Sequence, residues 1–129
     1  MKNLERKRER YLKDPLPKRL GGLAASLGRV ASSAQHDTRT ESVVEMMEEC
    51  QYYIEWTAAE AKPDVAAELV DIQVALSLWR RIWFEVNSNR SQRTLLSFQA
   101  KKWSDQVLNW SGLLDEAQSI PKGEQNEKL

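Results

Sequence analysis

The sequence predicts an all-α fold, a four-helix up-down bundle to which a short N-terminal helix can be added. Three observations support this class. Apolar residues recur every three or four positions over four long segments, prolines and polar breaks separate these segments, and no stretch shows the two-residue alternation of a strand. With 129 residues the chain is long enough for one hydrophobic core, so we expect a single helical domain over residues 1–129.

The composition is that of an ordinary globular protein, with 41% hydrophobic and 29% charged residues. Cys50 is the single cysteine, so no disulfide can form within the chain, and a reducing compartment is the natural setting. The charged N-terminus lacks the apolar core of a secretory leader, and no run of about 18 uncharged apolar residues predicts a membrane span. We therefore expect a cytoplasmic protein.

Residues 1–14 form a basic segment, with six Lys or Arg against three Asp or Glu, and its good helix formers predict a short helix. This segment could bind nucleic acid through residues 2–19, or it could dock on the acidic middle of the chain. Residues 1–39 carry ten basic and four acidic residues (net +6), whereas residues 40–85 carry three and ten (net −7). Interleaved glutamates also weaken the positive field, so we favour docking.

A regular helix pattern begins at Leu16, with apolar residues spaced alternately by four and three. These residues are Leu16, Leu20, Leu23, Leu27, Val30 and Ala34. Gly21, Gly22 and Gly28 lie within this helix, each at a cost of about 1 kcal/mol relative to Ala. Together with neighbouring Ala and Ser residues they form a small-residue face, which predicts that another helix packs closely here.

The third helix is predicted to follow a turn in which Thr38 and Glu41 have the spacing of a capping box. It runs from Glu41 to about Ala61, and one side of it is apolar. This apolar stripe comprises Val43, Met47, Cys50, Ile54, Thr57 and Ala61. Because Cys50 falls on the stripe, we interpret it as a small core residue rather than a nucleophile.

The stretch from Pro63 to Val86 is the longest apolar-rich run, and its proline followed by an acid is typical of a helix start. Its main apolar stripe comprises Val65, Leu69, Ile72, Leu76, Trp79, Trp83 and Val86. A second, weaker stripe lies almost opposite and comprises Ala67, Val70, Val74 and Leu78. A helix that is apolar on two sides is usually covered by its neighbours, so we expect this helix to be central and buried.

A polar break over residues 87–90 precedes the last helix, which we expect to run to about Gln118. Its seam comprises Leu96, Trp103, Val107, Trp110, Leu114 and Ala117. Pro121 lies within a polar tail, residues 119–129, that we expect to be disordered.

Two pairs of acids are the chemically most specific feature. Glu45 and Glu48 are three residues apart on the third helix, and Glu68 and Asp71 repeat this spacing on the fourth. The ExxE and ExxD pattern resembles that of the MazG-like all-α nucleoside triphosphate pyrophosphohydrolases. The resemblance implies that the four acids hold Mg²⁺, which carries the triphosphate and activates water.

Glu68 and Asp71 also have a structural interpretation, as partly buried carboxylates paired with a cation from a neighbouring helix. The cations considered are Arg19, Arg29, Lys101 and Lys102. We favour this interpretation because Glu45 and Glu48 lie on the helix face away from Cys50. Normal core packing then does not bring all four acids into one cleft.

Three hypotheses for function follow. We favour a non-catalytic protein-interaction module that binds a protein partner or forms a homodimer, because the Trp-rich helices offer much apolar surface and no complete catalytic constellation is present. The alternative is the Mg²⁺-dependent pyrophosphohydrolase, and the third is nucleic-acid binding through the basic N-terminus. Separately, the stretch LERKRERYLKDPLPKRLGGLAASLGRVAS resembles small uncharacterised helical proteins of cyanobacteria, a likeness that implies no activity.

Overall fold

The fold was analysed in a computed structural model that describes residues 3–113, and this range contains five α-helices and no strand. The helices are α1 (Leu4–Lys13), α2 (Leu16–Ser33), α3 (Thr40–Thr57), α4 (Pro63–Val86) and α5 (Arg90–Ser111). Short 3-10 turns lie before and after α3, at Asp37–Arg39 and Ala58–Glu60. The predicted all-α class is confirmed. The expectations for Leu114, Ala117 and the tail 119–129 lie outside the described residues.

The helix ends have local causes. Pro63 occupies the first turn of α4, where a missing backbone N–H costs nothing. The Asn89 side chain accepts a hydrogen bond from the backbone N–H of Gln92 and caps the start of α5. Gly112 ends α5 in the left-handed conformation, with φ of 77°.

The predicted capping box at Thr38 and Glu41 is wrong. Helix α3 begins at Thr40, and the residue before it, Arg39, makes no side-chain capping bond. The Thr40 hydroxyl donates instead to Asn87 Oδ1, 2.9 Å away, at the end of α4. This bond joins the start of α3 to the end of α4, but it satisfies none of the backbone N–H groups at the start of α3.

Helix α2 lies at the centre of the bundle and packs on α5 and α3, while α4 packs mainly on α3 and more loosely on α5. The hydroxyls of Ser97 and Ser104 on α5 each donate to a backbone carbonyl of α2, those of Ala31 and Ala24, both at 2.7 Å. A methyl group added at Gly28 would lie 3.5 Å from the Ser104 hydroxyl. The predicted close packing at the small residues of α2 is thereby confirmed.

The core is formed by apolar side chains from α2, α3, α4 and α5. Its largest fully buried members include Trp83, Leu23, Leu27, Met47, Ile54, Leu69, Leu76 and Leu96. Burying one such side chain contributes about 1.5–3 kcal/mol. Cys50 is also fully buried, and burial raises the pKa of its thiol, so the group stays protonated as expected of a core residue.

The two stripes of α4 have different environments. Leu69, Leu76 and Trp83 of the main stripe are buried, as predicted. The expectation that neighbours also cover the second stripe is wrong, because α4 lies at the outside of the bundle and Val74 and Leu78 remain 55% and 56% exposed. Helix α4 therefore presents a largely uncovered apolar side.

Helix α1 docks on α3, in agreement with the favoured interpretation of the basic segment. The Tyr11 ring stacks on Tyr53 with centroids 4.3 Å apart and planes within 6°. The Tyr11 hydroxyl donates to the backbone oxygen of Arg19 at 2.8 Å and lies 3.0 Å from the Thr57 hydroxyl. Lys7 forms an ion pair with Glu49. Opposite charge and aromatic packing thus hold the first helix in place.

No helix within residues 3–113 combines the length and the apolar character that crossing a membrane requires.

Candidate functional site

The four acids of the predicted metal site line three separate hollows on the surface. Glu45 borders a hollow next to Lys7, Glu48 borders a second beside Gln51, and Glu68 and Asp71 line a third between α4 and α5. Within the part of the chain that the structure describes, no group of three or more His, Cys, Asp or Glu side chains is arranged to hold a metal ion. The pyrophosphohydrolase hypothesis stays a prediction.

Glu48 has a structural partner on α4. The Arg80 guanidinium donates to a carboxylate oxygen of Glu48 at 2.9 Å and to the side-chain oxygen of Gln51 at 2.6 Å. Gln51 and Gln73 each donate to a backbone carbonyl of the other's helix, at 3.3 and 3.2 Å. These bonds hold α3 and α4 together and occupy Glu48.

The ion-paired interpretation of Glu68 and Asp71 is not found among residues 3–113, where both side chains are exposed and have no ion pair. Three of the four cations considered for them are paired with other acids. Arg19 binds Glu60, Arg29 binds Glu49, and Lys101 binds Asp105, whereas Lys102 is exposed. The main stripe of α4 faces the core. Glu68 and Asp71 lie beside this stripe and not within it, so their side chains are exposed to solvent.

A cluster that the sequence analysis missed surrounds Glu49. Its carboxylate accepts hydrogen bonds from Lys7, from the Ser26 hydroxyl at 2.9 Å and from Arg29 at 3.1 Å. Burial by itself raises the pKa of Glu49, but these three donors outweigh burial and hold the pKa below its ordinary value. Glu49 therefore joins α1, α2 and α3 as a structural anchor.

Arg19 is a second anchor, and its side chain is only 4% exposed. Two of its nitrogens donate to the two carboxylate oxygens of Glu60, at 2.9 and 2.7 Å, and a third donates to the backbone oxygen of Asp14 at 3.0 Å. Both Lys7 and Arg19, which lie within residues 2–19, are thus committed to partners within the chain. Nucleic-acid binding through residues 2–19 stays a prediction.

A line of exposed aliphatic residues runs along α4, and we call it the α4 apolar face: Val70, Val74 and Leu78. These side chains are 46%, 55% and 56% exposed and follow one another at intervals of four residues, so they lie along one side of the helix. Single exposed apolar residues are common, but a line of them marks a contact surface more often than chance. The second stripe was visible in the sequence, whereas its exposure was not.

Charged residues flank the two ends of this face. Glu68 and Asp71 lie toward its N-terminal end, and the exposed Arg81 lies toward its C-terminal end. Arg81 has no ion pair within residues 3–113. Glu68 and Asp71 thus lie near the N-terminal end of the face, whereas Arg81 and the exposed Glu85 lie beyond its C-terminal end.

Further apolar side chains are exposed beside the α4 apolar face. The Trp79 indole donates to the side-chain oxygen of Gln99 at 2.8 Å, which sets the register of the antiparallel helices α4 and α5. In this register Ile82 on α4 and Leu95 on α5 lie at nearly the same level, and both are exposed. The uncovered apolar surface thus extends from α4 toward α5.

Comparisons of this chain with models of known protein families, with curated proteins and with solved structures found no match.

Proposed function

We propose that this protein is a non-catalytic interaction module that forms a homodimer through the α4 apolar face. The observation that carries the proposal is the alignment of Val70, Val74 and Leu78, three large aliphatic side chains that stay about half exposed along the outer side of the longest helix. Burial of such surface is the main favourable contribution to association. A second copy of the chain offers a matching surface, as a two-fold dimer requires.

An antiparallel arrangement of two α4 helices satisfies the geometry. With the two-fold axis at Val74, this residue lies opposite its own copy, and Val70 of one copy lies opposite Leu78 of the other. The 24 residues of α4 span about 36 Å, long enough for several such contacts on either side of the axis. Two apolar faces would then cover one another along their whole length.

The same arrangement makes the charges complementary. In this register Arg81 of one copy is level with Ala67 of the other and lies about one helical turn from the other copy's Asp71. An arginine and an aspartate thus approach each other twice, once on each side of the axis. A parallel arrangement would instead place like charges together, so the charge pattern favours the antiparallel dimer.

The area that a stable dimer needs is about 800 Å² from each copy. Three side chains on one helix form only the centre of such an interface. Ile82 and Leu95 add exposed apolar surface at one edge, and Phe98 on α5 is 68% exposed. An interface centred on α4 and widened toward α5 can reach this size.

The oligomeric state in solution tests the proposal. We expect sedimentation equilibrium to show a dimer whose fraction rises with protein concentration. Val74→Arg should yield a monomer, because two arginines would meet at the two-fold axis without partners. Ala59→Arg is the matched control, since Ala59 is exposed in the turn after α3 and should leave the dimer intact.

A charge exchange tests the register. Arg81→Glu should weaken the dimer, and the double variant Asp71→Arg, Arg81→Glu should restore it because the pair of residues 71 and 81 returns with reversed sign on each side of the axis. A wild-type protein that remains monomeric at every concentration would overturn the homodimer. Equal dimerisation of the wild type and Val74→Arg would overturn the assignment to α4.

A further inference from the structure

A polar cavity lies between the end of α2 and the beginning of α5, away from the α4 apolar face. It has a volume of about 280 Å³ and is lined by Gln35, Arg90, Arg93, Thr94 and Ser97. No acidic side chain lines it, and neither arginine has an ion pair within residues 3–113. Two guanidinium groups therefore place positive charge at this cavity, and no acidic side chain in its lining neutralises this charge.

The hydrogen-bond donors of Arg93 are only partly used. One terminal guanidinium nitrogen donates to the backbone oxygen of Asn87 at 2.9 Å, which holds the side chain in place. Its Nε is buried and has no partner. The other terminal guanidinium nitrogen makes no hydrogen bond among the described residues and is left to bind an anion in the cavity.

The opposite wall of the cavity is fixed by bonds within the protein. The Ser97 hydroxyl donates to the backbone oxygen of Ala31 at 2.7 Å and accepts from the Gln35 side chain at 3.1 Å. The Thr94 hydroxyl, in contrast, has no hydrogen bond among the described residues. Thr94 and the two arginines are thus the groups free to bind a ligand.

We propose that this cavity binds a phosphate group, either as inorganic phosphate or as the phosphate of a small phosphorylated molecule. Two arginines match the two negative charges and several acceptor oxygens of a phosphate, which the planar guanidinium group binds well. Arg90 and Arg93 are three residues apart on one helix, where like charges repel each other, and a bound anion relieves this repulsion. The Asn89 side chain already caps α5, so the guanidinium groups and not the helix end supply the attraction.

The size of the cavity restricts the ligand. Pockets for drug-sized ligands start at about 300 Å³, and this cavity lies just below that range. The ring-stacking aromatic side chains that bind a nucleotide base are absent from its lining. The cavity therefore suits a compact phosphate better than a nucleotide.

Calorimetric titration at low ionic strength tests the site with two probes, inorganic phosphate and glycerol phosphate. We expect saturable binding of one phosphate per chain, and a preference for one probe distinguishes the free ion from the phosphomonoester. Arg90→Gln should weaken binding about tenfold or more, because it removes a charged bidentate donor. Arg90 is exposed, so this variant should fold normally, and Arg10→Gln on α1 is the matched control that should bind like the wild type.

A second readout locates the site. Phosphate should shift the backbone amide resonances of Thr94 and Ser97, and this shift should be lost in Arg90→Gln. Arg93→Lys keeps the charge but not the planar fork, and we expect it to bind less tightly than the wild type. The absence of saturable binding for both probes would overturn the proposal, as would equal binding by the wild type and Arg90→Gln.

Discussion

Replacement of Tyr11 by phenylalanine tests how α1 is attached to the bundle. This substitution keeps the ring and its stacking on Tyr53 but removes the hydroxyl. That hydroxyl donates to the backbone oxygen of Arg19 and bonds with the Thr57 hydroxyl, which is fully buried. The variant therefore leaves two polar groups without their partner.

The expected cost follows from these two bonds. One hydrogen bond contributes about 1 kcal/mol net, so the loss of two in Tyr11→Phe should lower the free energy of unfolding by about 2 kcal/mol near pH 8. For a domain of this size, the loss corresponds to a drop in Tm of roughly 3–10 °C.

The cost should also depend on pH. Burial raises the pKa of Tyr11 to about 12, although the Thr57 hydroxyl and the Arg19 cation act against the rise. The phenol of the unfolded chain ionises near its ordinary pKa of about 10. Folding therefore favours the neutral phenol, and the stability that it contributes below pH 10 is lost as the pH rises toward 12. By pH 11 the wild type should have lost about 1 kcal/mol that the variant cannot lose.

Urea unfolding followed by tryptophan fluorescence measures both effects at pH 8 and pH 11. The difference between the wild type and Tyr11→Phe should shrink by about 1 kcal/mol between these two values. Tyr52→Phe is the matched control, because the Tyr52 hydroxyl makes no hydrogen bond among the described residues. A difference that does not change with pH, or that equals the effect of Tyr52→Phe, would refute the role assigned to the Tyr11 hydroxyl.

Three further predictions concern stability and are tested by urea unfolding at low protein concentration. Leu76→Ala should lower the free energy of unfolding by about 2–5 kcal/mol, and Leu78→Ala should lower it by less than about 1 kcal/mol. Similar values for the two variants would contradict the orientation of α4. Glu49→Gln should lower the free energy of unfolding at pH 7. The difference in this free energy between the wild type and the variant should shrink as the pH falls through the lowered pKa of Glu49. A difference that persists in acid would contradict the anchoring role of Glu49. Gly22→Ala should stabilise the protein by up to about 1 kcal/mol, because the nearest atom to the added methyl group lies 3.9 Å away. Gly112→Ala should destabilise the protein, because the backbone φ of this residue is positive. Effects of opposite sign at these two positions would contradict this geometry.

Helix boundaries could be predicted where the signal is local. The predicted and observed limits of α4 coincide at Pro63 and Val86, because a proline at the start and an unbroken apolar period define both ends. The start of α3 differs from the one predicted at Thr38, because a 3-10 turn spans Asp37–Arg39. The Thr40 hydroxyl then bonds with Asn87, 47 residues away along the chain. Spacing along the sequence contains no information about such a bond.

The surfaces were harder to predict than the helices. Periodicity identified Val74 and Leu78 as members of one stripe, but it could not show that α4 lies at the edge of the bundle and leaves that stripe exposed. The partners of ion pairs were equally hard to predict. Arg19 could pair with several acids, and its pairing with Glu60 depends on how α2 and α3 are arranged. Which residues share a face is a local property, whereas what covers the face depends on the complete fold.

The bonds between α2 and α5 have a consequence for the order in which the chain folds. Ser97 and Ala31 are 66 residues apart, and Ser104 and Ala24 are 80 apart, so this interface closes more than half of the chain into a loop. During synthesis α2 leaves the ribosome long before α5 exists, and its small-residue face must wait for a partner. We therefore expect a chain ending at Asn89 to keep helical content but to lose cooperative unfolding in urea, and equal cooperativity would show that α5 is dispensable for folding.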